Sequence, residues 1–283
     1  MNDNRKCGQI LTQTEFRQLI VSQGEDGYDL IDVRESDEYE ARHLPGARHI
    51  PLGEIAARAG EIREDVFTVF YCGRGKRSAL AMSMVAATKD ASKFYSLDGG
   101  IEAWDGETLP GFPRMHSFDT VGSLEDILLR GMNLEKGAER LYEALVKAFQ
   151  GSSVLKTLQK LYEAEEGHAR MLYNMLPKDC ASASRPFEEL YGEMKGDLLE
   201  NGESFEEAVG RIQKNTGDKK HLLLELGVDM EYQAYDLYRN LAAQNFNAEV
   251  KRALLELASQ ETQHFRTALN ALGQAVAESR KHP

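Results

Sequence analysis

Two Glu-x-x-His motifs in the C-terminal half of the chain carry the residue types of a metal site. The first runs from Glu165 to His168 and the second from Glu261 to His264, a repeat distance of 96 residues from 165 to 261. The same distance separates further identical residues: Glu135 and Glu231, Tyr142 and Tyr238, Gly131 and Gly227, Ala138 and Ala234, Leu158 and Leu254, and Leu161 and Leu257. We interpret the repeat as two copies of one helical hairpin. Each copy has a glutamate on its first helix and Glu-x-x-His on its second.

Metal binding would explain why glutamates occupy the apolar side of these helices. Residues three apart lie on one helix face, so each Glu-x-x-His pair can serve one site. Burying an isolated carboxylate is costly, and two divalent metals would neutralise four of them. Carboxylate and imidazole ligands suit both iron and manganese, and this ligand pattern is known from di-metal carboxylate bundles. The predicted ligands are Glu135, Glu165, His168, Glu231, Glu261 and His264.

The alternative is that these acidic residues form ion pairs on solvated helix surfaces. That interpretation suits a single glutamate, but not six residues that share both the motif and the repeat. It is assigned instead to glutamates outside the repeat, which are expected on the solvent side: Glu163, Glu166, Glu225 and Glu256. Tyr142 and Tyr238 each follow a predicted ligand by two helical turns. They are expected to hydrogen-bond a ligand carboxylate or a metal-bound species, or else to pack in the core.

A second chemical motif lies in the N-terminal half, where Cys72 directly follows an apolar, β-rich run. The next residues include two glycines and lead into a helix, so their N–H groups can form an anion nest. The helix N-terminus and three cations favour thiolate over thiol. The motif therefore predicts a nucleophilic or sulfur-carrying cysteine rather than a buried core thiol. Its anionic substrate is expected to contact Gly73, Arg74, Gly75, Lys76 and Ser78.

The elements that must position these motifs divide the chain into two domains. Over residues 1–113, strand-length apolar runs at 28–33, 48–51 and 66–71 alternate with helical patterns at 14–21 and 35–41. This predicts an α/β domain with a central parallel sheet. Residues 114–119 are expected to be a linker to an all-α domain over 120–283. A four-helix bundle with one long crossover is predicted there, with long helices at 123–149, 152–175, 218–244 and 247–273 and short ones at 187–199 and 204–214.

The composition limits the classes of partner. The 283 residues carry a net charge of −12, which argues against nucleic-acid binding. No apolar run of about 18 residues or signal-peptide core is present, so neither a membrane span nor export is expected. Cys7, Cys72 and Cys180 form no disulfide framework, which favours a cytoplasmic location. Cys7 or Cys180 could resolve a persulfide on Cys72, although incidental thiols are the simpler interpretation.

Motifs along the whole first domain resemble those of the rhodanese family. They are Asp32-Val33-Arg34, the turn at 43–47, the loop at 72–77 and the stretch at 97–104. The resemblance implies transfer of sulfane sulfur, with Cys72 as persulfide carrier and Arg77 as the arginine that closes the loop. The five residues between Cys72 and Ser78 resemble the loop of sulfur-transferring members rather than that of related phosphatases. Arg74 and Lys76 occupy variable positions, so their role in substrate binding is inferred from charge.

Residues 120–275 resemble the ferritin-like superfamily, and most closely its rubrerythrin branch. The resemblance implies a di-iron site held by the six predicted ligands, with peroxide as its substrate. Ala234 stands where rubrerythrin has an additional glutamate associated with ligand switching. The cysteine-rich rubredoxin iron site that usually relays electrons in rubrerythrin is missing from this sequence.

The fusion leaves three functions open. The first is a two-module redox enzyme, in which a di-iron site reduces peroxide and Cys72 handles reactive sulfur or supplies electrons. The second is a sulfurtransferase whose bundle oxidises sulfur species or acts as a scaffold. The third is a non-enzymatic metal-binding sensor of peroxide or polysulfide. The expected partners are small sulfur donors and acceptors, peroxide and an unidentified electron donor, and a homodimer is compatible with such a bundle.

Overall fold

The chain divides into two compact units, Met1–Pro113 and Arg114–Pro283. The computed structural model describes residues 9–113, 123–244 and 248–279. The predicted linker at 114–119 and Cys7 lie outside the described residues. Each unit has its own apolar cores, as expected for domains of this size.

The N-terminal unit is built on a five-stranded parallel sheet, which confirms the predicted fold class. Its strands are β1 (Gln9–Leu11), β2 (Tyr28–Asp32), β3 (Arg48–His49), β4 (Phe67–Tyr71) and β5 (Phe94–Leu97). Their order in the sheet is β1-β5-β4-β2-β3, with every neighbouring pair parallel. Strand β4 is central and almost wholly buried, as its apolar sequence predicts. Because parallel strands end at one edge, the residues after β2, β4 and β5 lie near one another.

Three α-helices accompany this sheet within residues 9–113: α1 (Gln13–Gln23), α2 (Ser36–Ala41) and α3 (Lys76–Ala86). Thr12 and Glu15 form a capping box that starts α1. Helix α3 begins directly behind the cysteine loop, with Gly75 as its N-cap residue at a φ of 88°. That left-handed conformation favours glycine, and it turns the chain from β4 into α3 within a few residues.

The C-terminal unit is a bundle of four long helices: α4 (Leu124–Ala148), α5 (Leu155–Asn174), α8 (Lys219–Ala242) and α9 (Ala248–Ser279). Two short helices, α6 (Phe187–Gly192) and α7 (Phe205–Lys214), lie in the crossover between the hairpins. The predicted helical bundle is therefore confirmed. Within the described parts of the chain, each helix is too short or too polar to cross a membrane.

The predicted crossover helix at 187–199 is wrong beyond residue 192. Helix α6 ends at Gly192, and the following residues form a turn that is packed against α4. At Gly196, which has a φ of 54°, a methyl group would lie 2.6 Å from the carbonyl carbon of Lys136. At Gly137, a methyl group would overlap the carbonyl oxygen of Leu198. This backbone-to-backbone contact cannot be read from helical periodicity.

We expect Gly137→Ala to destabilise the bundle by about 1–3 kcal/mol, because the crossover must move away from α4 to admit the methyl group. Gly273→Ala is the matched control, since Gly273 is exposed on α9 and no atom lies within 4 Å of the added methyl group. That change should stabilise the helix by about 0.5–1 kcal/mol. Urea unfolding followed by circular dichroism measures both. Equal stability of the two variants would contradict the packing described here.

Candidate active sites

The bundle brings the six predicted metal ligands into one buried layer. Helix α4 supplies Glu135, α8 supplies Glu231, and α5 and α9 supply the two Glu-x-x-His pairs. Apolar residues from all four helices fill one core on either side of this layer. Five of the six residues are at least 99% buried, and the side chain of His264 is 16% exposed. The glutamates outside the repeat are exposed, as predicted: Glu163, Glu166, Glu225 and Glu256.

The ligand atoms converge in three groups, within each of which they lie no more than 4.8 Å apart. The groups share members and together contain all six residues: Glu165, His168 and His264; Glu135, His168 and Glu261; and Glu231, Glu261 and His264. The imidazole rings of His168 and His264 stack with their centroids 4.8 Å apart. Overlapping groups of this kind can hold two adjacent cations.

His168 is the most connected residue of the cluster. Its Nδ1 lies 2.9 Å from Glu261 Oε1, 3.3 Å from Glu135 Oε2 and 3.6 Å from Glu165 Oε2. His264 Nδ1 lies 3.6 Å from Glu231 Oε2 and 3.7 Å from Glu261 Oε2. Glu261 therefore contacts both imidazoles. These contacts join the two helical hairpins through charged groups at the centre of the bundle.

Several buried ligand atoms have no partner in hydrogen-bond geometry among the described residues. They are Glu135 Oε2, Glu165 Oε1, Glu261 Oε1, His264 Nδ1 and both ring nitrogens of His168. The 2.9 Å approach of His168 to Glu261 is a close charge contact, but its direction does not make it a hydrogen bond. Unsatisfied buried polar atoms are costly, and bound cations would satisfy them. The donor set therefore fits a pair of divalent metals.

Three of the four ligand carboxyl groups in this layer have raised pKa values, which means that their charged form is unfavourable. Burial raises the pKa of the Glu165 carboxyl to about 8 and raises the pKa values of Glu135 and Glu231. Burial also acts to raise the pKa of Glu261, but the positive charge of His168 leaves it lowered. Protons must neutralise most of these carboxylates while no cation is present. Metal binding would displace the protons and would therefore strengthen as the pH rises.

Two tyrosines link the hairpins through crossed hydrogen bonds. Tyr142 on α4 donates to Glu231 on α8, and Tyr238 on α8 donates to Glu135 on α4. Both rings are completely buried. Each tyrosine also belongs to an apolar core cluster, so the structure combines hydrogen bonding to a ligand carboxylate with packing in the core. Each tyrosine fixes the orientation of one carboxylate that belongs to the cluster.

Glu200 is a buried acidic residue that the sequence did not single out. It lies in the turn after α6, is 3% exposed, and its Oε2 has no hydrogen-bond partner among the described residues. The crossover has no counterpart at the 96-residue offset, so the repeat contains no signal for it.

The second candidate site surrounds Cys72 at the carboxyl end of β4. The Cys72 sulfur accepts hydrogen bonds from the Gly75 N–H at 3.1 Å and from Ser78 Oγ at 3.7 Å. The backbone behind the loop is held by Ile101 N–H, which donates to the Cys72 carbonyl at 2.9 Å, and by Glu102 N–H, which donates to the Gly73 carbonyl at 3.1 Å. The conformation of the loop is thus set by the stretch at 97–104.

Hydrogen bonds to the sulfur favour its thiolate form. Burial by itself raises the pKa of Cys72, but hydrogen bonds from Ser78 and from the Arg74 and Gly75 amides leave it below its usual value of 9.0. The thiolate is the nucleophilic form of cysteine. The loop can therefore hold a reactive sulfur at the start of α3, although Cys72 is only 2% exposed and also belongs to an apolar core cluster.

The three cations of the loop differ in their surroundings. Arg77 forms a two-pronged ion pair with Glu38 at 2.6 and 2.7 Å, which lowers the pKa of Glu38 to about 2. The Cys72 sulfur also helps to raise the pKa of Arg77, after the larger effect of Glu38. Arg74 pairs with Glu102 at 2.6 Å, and Lys76 is exposed. Arg77 thus ties the loop to α2, whereas Arg74 and Lys76 lie at its outer surface.

Asp32 and Arg34 form a buried ion pair at 2.6 Å, and Arg34 also donates to the Arg42 carbonyl. This arrangement agrees with a structural role for the pair. Cys180 is half-buried in the other unit, after α5.

We expect Ser78→Ala to slow alkylation of Cys72 by iodoacetamide at pH 7 by about tenfold, the scale of one hydrogen bond to a charged group. Loss of the Ser78 contacts should raise the pKa of Cys72, so the midpoint of the rate against pH moves upward. Ser83→Ala is the control, because Ser83 is exposed on the same helix and donates only to Ala79. Peptide mass mapping identifies the alkylated cysteine. A midpoint that moves downward would contradict the proposed contacts.

Comparisons with known proteins agree with this division. The rhodanese-like domain family model matches residues 12–107, and the rubrerythrin family model matches residues 126–272. The putative sulfur carrier protein YrkF of Bacillus subtilis is 36% identical over 93 residues, which are 33% of this chain and 49% of that protein. The chain thus spans about half the length of that relative.

Two further similarities concern proteins that are named as sulfurtransferases. The thiosulfate sulfurtransferase GlpE of Pseudomonas fluorescens strain SBW25 is 35% identical over 82 residues, which are 28% of this chain and 72% of that protein. Among solved structures, a human single-domain sulfurtransferase, TSTD1, is 25% identical. The match covers 35% of this chain and 96% of that one, with a TM-score of 0.30.

Proposed function

We propose that this chain, which belongs to the rubrerythrin family and carries a rhodanese-like domain before its bundle, is a two-module sulfur and redox enzyme. The rhodanese-like domain transfers sulfane sulfur through Cys72. The bundle holds two iron ions and reduces peroxide. The observation that carries this proposal is the convergence of six ligand residues, five of them buried, with several buried polar atoms that lack partners in hydrogen-bond geometry among the described residues.

In the sulfur-transfer reaction, the Cys72 thiolate attacks the sulfane sulfur of a donor such as thiosulfate. The new bond joins Cys72 Sγ to that sulfur, the S–S bond of the donor breaks, and sulfite leaves with the electron pair. A nucleophilic acceptor then attacks the outer sulfur of the persulfide, which releases Cys72 as thiolate. The relative GlpE, named as a thiosulfate sulfurtransferase, supports this choice of donor.

The loop residues would stabilise both charged partners of this reaction. The Gly75 N–H and Ser78 hydroxyl already contact the sulfur, and they would hold the thiolate between turnovers. The exposed cations Arg74 and Lys76 would attract an anionic donor. Arg77, fixed by Glu38, would keep the loop closed around the sulfur.

In the bundle, the four glutamates and two histidines would hold the metals, which when bound supply electrons and Lewis acidity for peroxide reduction. Each peroxide needs two electrons and two protons to yield two waters, and an external reductant supplies the electrons. Tyr142 and Tyr238 orient Glu231 and Glu135 and exclude alternative rotamers. The apolar layers on either side keep bulk water from the centre.

Metal analysis combined with peroxidase and sulfurtransferase assays on one purified sample tests the proposal. We expect about two irons per chain, a visible oxo-bridged absorption, peroxide consumption with a reductant, and sulfur transfer from thiosulfate to cyanide. Metal-loaded protein that consumes no peroxide with any reductant would leave a sulfurtransferase with a metal-binding scaffold. Failure of both activities in metal-loaded protein would favour a sensor.

A further inference from the structure

We propose that Glu200, in the crossover, is a fifth carboxylate of the metal centre, which lies outside the three convergent groups and strengthens cation binding through its charge. This inference rests on the metal centre proposed above and extends it to a residue outside the four long helices. Glu200 is only 3% exposed, and its Oε2 has no hydrogen-bond partner among the described residues. A buried carboxyl group of this kind must be neutralised by a proton or by a nearby cation.

The surroundings of Glu200 show which charge it faces. Burial is the main cause that raises the pKa of Glu200 well above its usual value, and the charges of Glu135, Glu165 and Glu261 raise it further. Those three ligands come from three different helices. Glu200 also contributes to the raised pKa of Tyr238, which donates to Glu135. The packing of the crossover agrees with this, because the Leu198 carbonyl lies against Gly137, two residues from Glu135, and Leu199 shares a core with Ala138. Glu200 therefore lies beside the end of the metal-binding layer that contains Glu135.

Several specific contacts with α4 hold this part of the crossover in place. Asn133 Oδ1 accepts from the Gly196 N–H at 3.0 Å, and Arg140 Nη1 donates to the Gly196 carbonyl at 2.7 Å. The absence of a side chain at Gly137 lets the Leu198 carbonyl rest on α4. Asn133, Gly137 and Arg140 share one side of α4 with the neighbouring turns. They anchor the segment that leads into Glu200.

A tight turn then directs Glu200 inward. The Leu199 N–H donates to the Glu203 carbonyl at 3.0 Å, and the Gly202 N–H donates to the Leu199 carbonyl at 2.7 Å. Leu198 and Ser204 form an isolated antiparallel bridge that closes the same turn. Leu199 is fully buried, whereas residues 201–204 are only half-buried. The turn thus keeps Glu200 among buried groups although its neighbours reach towards the surface.

Two bound divalent cations would reverse the repulsion that Glu200 experiences. In their absence, burial and the three nearby glutamates favour the protonated, neutral form of Glu200. In their presence, the same carboxylate attracts the cations and strengthens their binding. If Glu200 served only to fill space, glutamine would serve equally well, because it has nearly the same size and no charge.

Manganese titration of Glu200→Gln tests the inference, with Glu207→Gln as a matched control. Both changes remove one negative charge from the same crossover, but Glu207 is exposed on α7. We expect the wild type and Glu207→Gln to bind two Mn²⁺ with equal affinity. Glu200→Gln should bind the weaker Mn²⁺ about 10- to 100-fold less tightly, the range found when groups supporting a metal site are lost. Electron paramagnetic resonance of the free Mn²⁺ gives the affinities.

Thermal unfolding with and without Mn²⁺ separates this role from a structural one. The metal-free Glu200→Gln protein should unfold at the same temperature as the wild type or higher, because a buried acid has been removed. The increase in Tm caused by Mn²⁺ should be smaller in Glu200→Gln than in the wild type. An unchanged affinity and an unchanged Mn²⁺-induced increase would overturn the inference while leaving the metal centre intact. A wild type that binds no Mn²⁺ or iron would overturn the proposed centre itself.

Discussion

Replacing Cys72 with serine is expected to lower sulfur transfer from thiosulfate to cyanide by on the order of 10⁴-fold or more, the scale of losing a covalent nucleophile. Serine keeps the size of the side chain and can still accept from the Gly75 N–H and from Ser78. It remains protonated at neutral pH, however, and cannot form a persulfide. The defect should therefore be chemical, with the fold and the loop preserved.

The same variant should retain its full metal content, because Cys72 and the six ligand residues belong to different compact units. Cys180→Ser is the matched control, since Cys180 is the other free cysteine of the described residues. Its sulfur-transfer rate should equal that of the wild type. Cyanide-dependent thiocyanate formation and iron analysis on the same samples measure both properties. Survival of sulfur transfer in Cys72→Ser would remove Cys72 from its assigned role.

Replacing His168 with alanine is expected to reduce the metal content from two ions to at most one and to abolish peroxide reduction. His168 belongs to two of the three convergent groups and contacts three glutamates. Its loss removes a ligand and leaves Glu135, Glu165 and Glu261 without their shared positive partner. The affinity for metal should fall by more than the roughly 10- to 100-fold that is lost when a residue supporting a metal site is removed.

The stability that metal binding adds to the folded protein should decrease in the same variant. At a free metal concentration about 1,000 times the dissociation constant, binding stabilises a folded protein by about 4 kcal/mol. Most of this increment should vanish in His168→Ala. His221→Ala is the control, because His221 lies at the start of α8, where it pairs with Asp218 at 2.8 Å. Tm measured with and without Mn²⁺ gives the increment. Two tightly bound metals in His168→Ala would contradict the ligand set.

Much of the architecture follows from local patterns in the sequence. The buried run at 67–71 is β-rich and apolar enough to specify a central strand. The 96-residue repeat carries glutamates and histidines into equivalent helical positions, and helix geometry alone places Glu165 and His168 on one face. These features depend on residues that are close in sequence or related by the internal repeat. They can therefore be recognised in the sequence alone.

The tertiary structure decided the features that depend on contacts between distant segments. The crossover does not continue as a helix to residue 199, because Gly196 and Gly137 allow two backbones to meet. Arg77 turns to Glu38, and the crossed bonds from Tyr142 and Tyr238 join opposite hairpins. The repeat and the spacing single out both tyrosines, but neither identifies the carboxylate that each contacts, and the partner of Arg77 has no such signature.

The metal-binding layer combines both kinds of information. Its six predicted ligands were recognisable by residue type and repeat, because two similar hairpins must present similar side chains to their shared core. Glu200 was not, since it lies in the unrepeated crossover and resembles any acidic residue of a polar loop. Its burial results from the packing of that loop on α4, and a contact between segments more than 60 residues apart is decided by the folded chain as a whole.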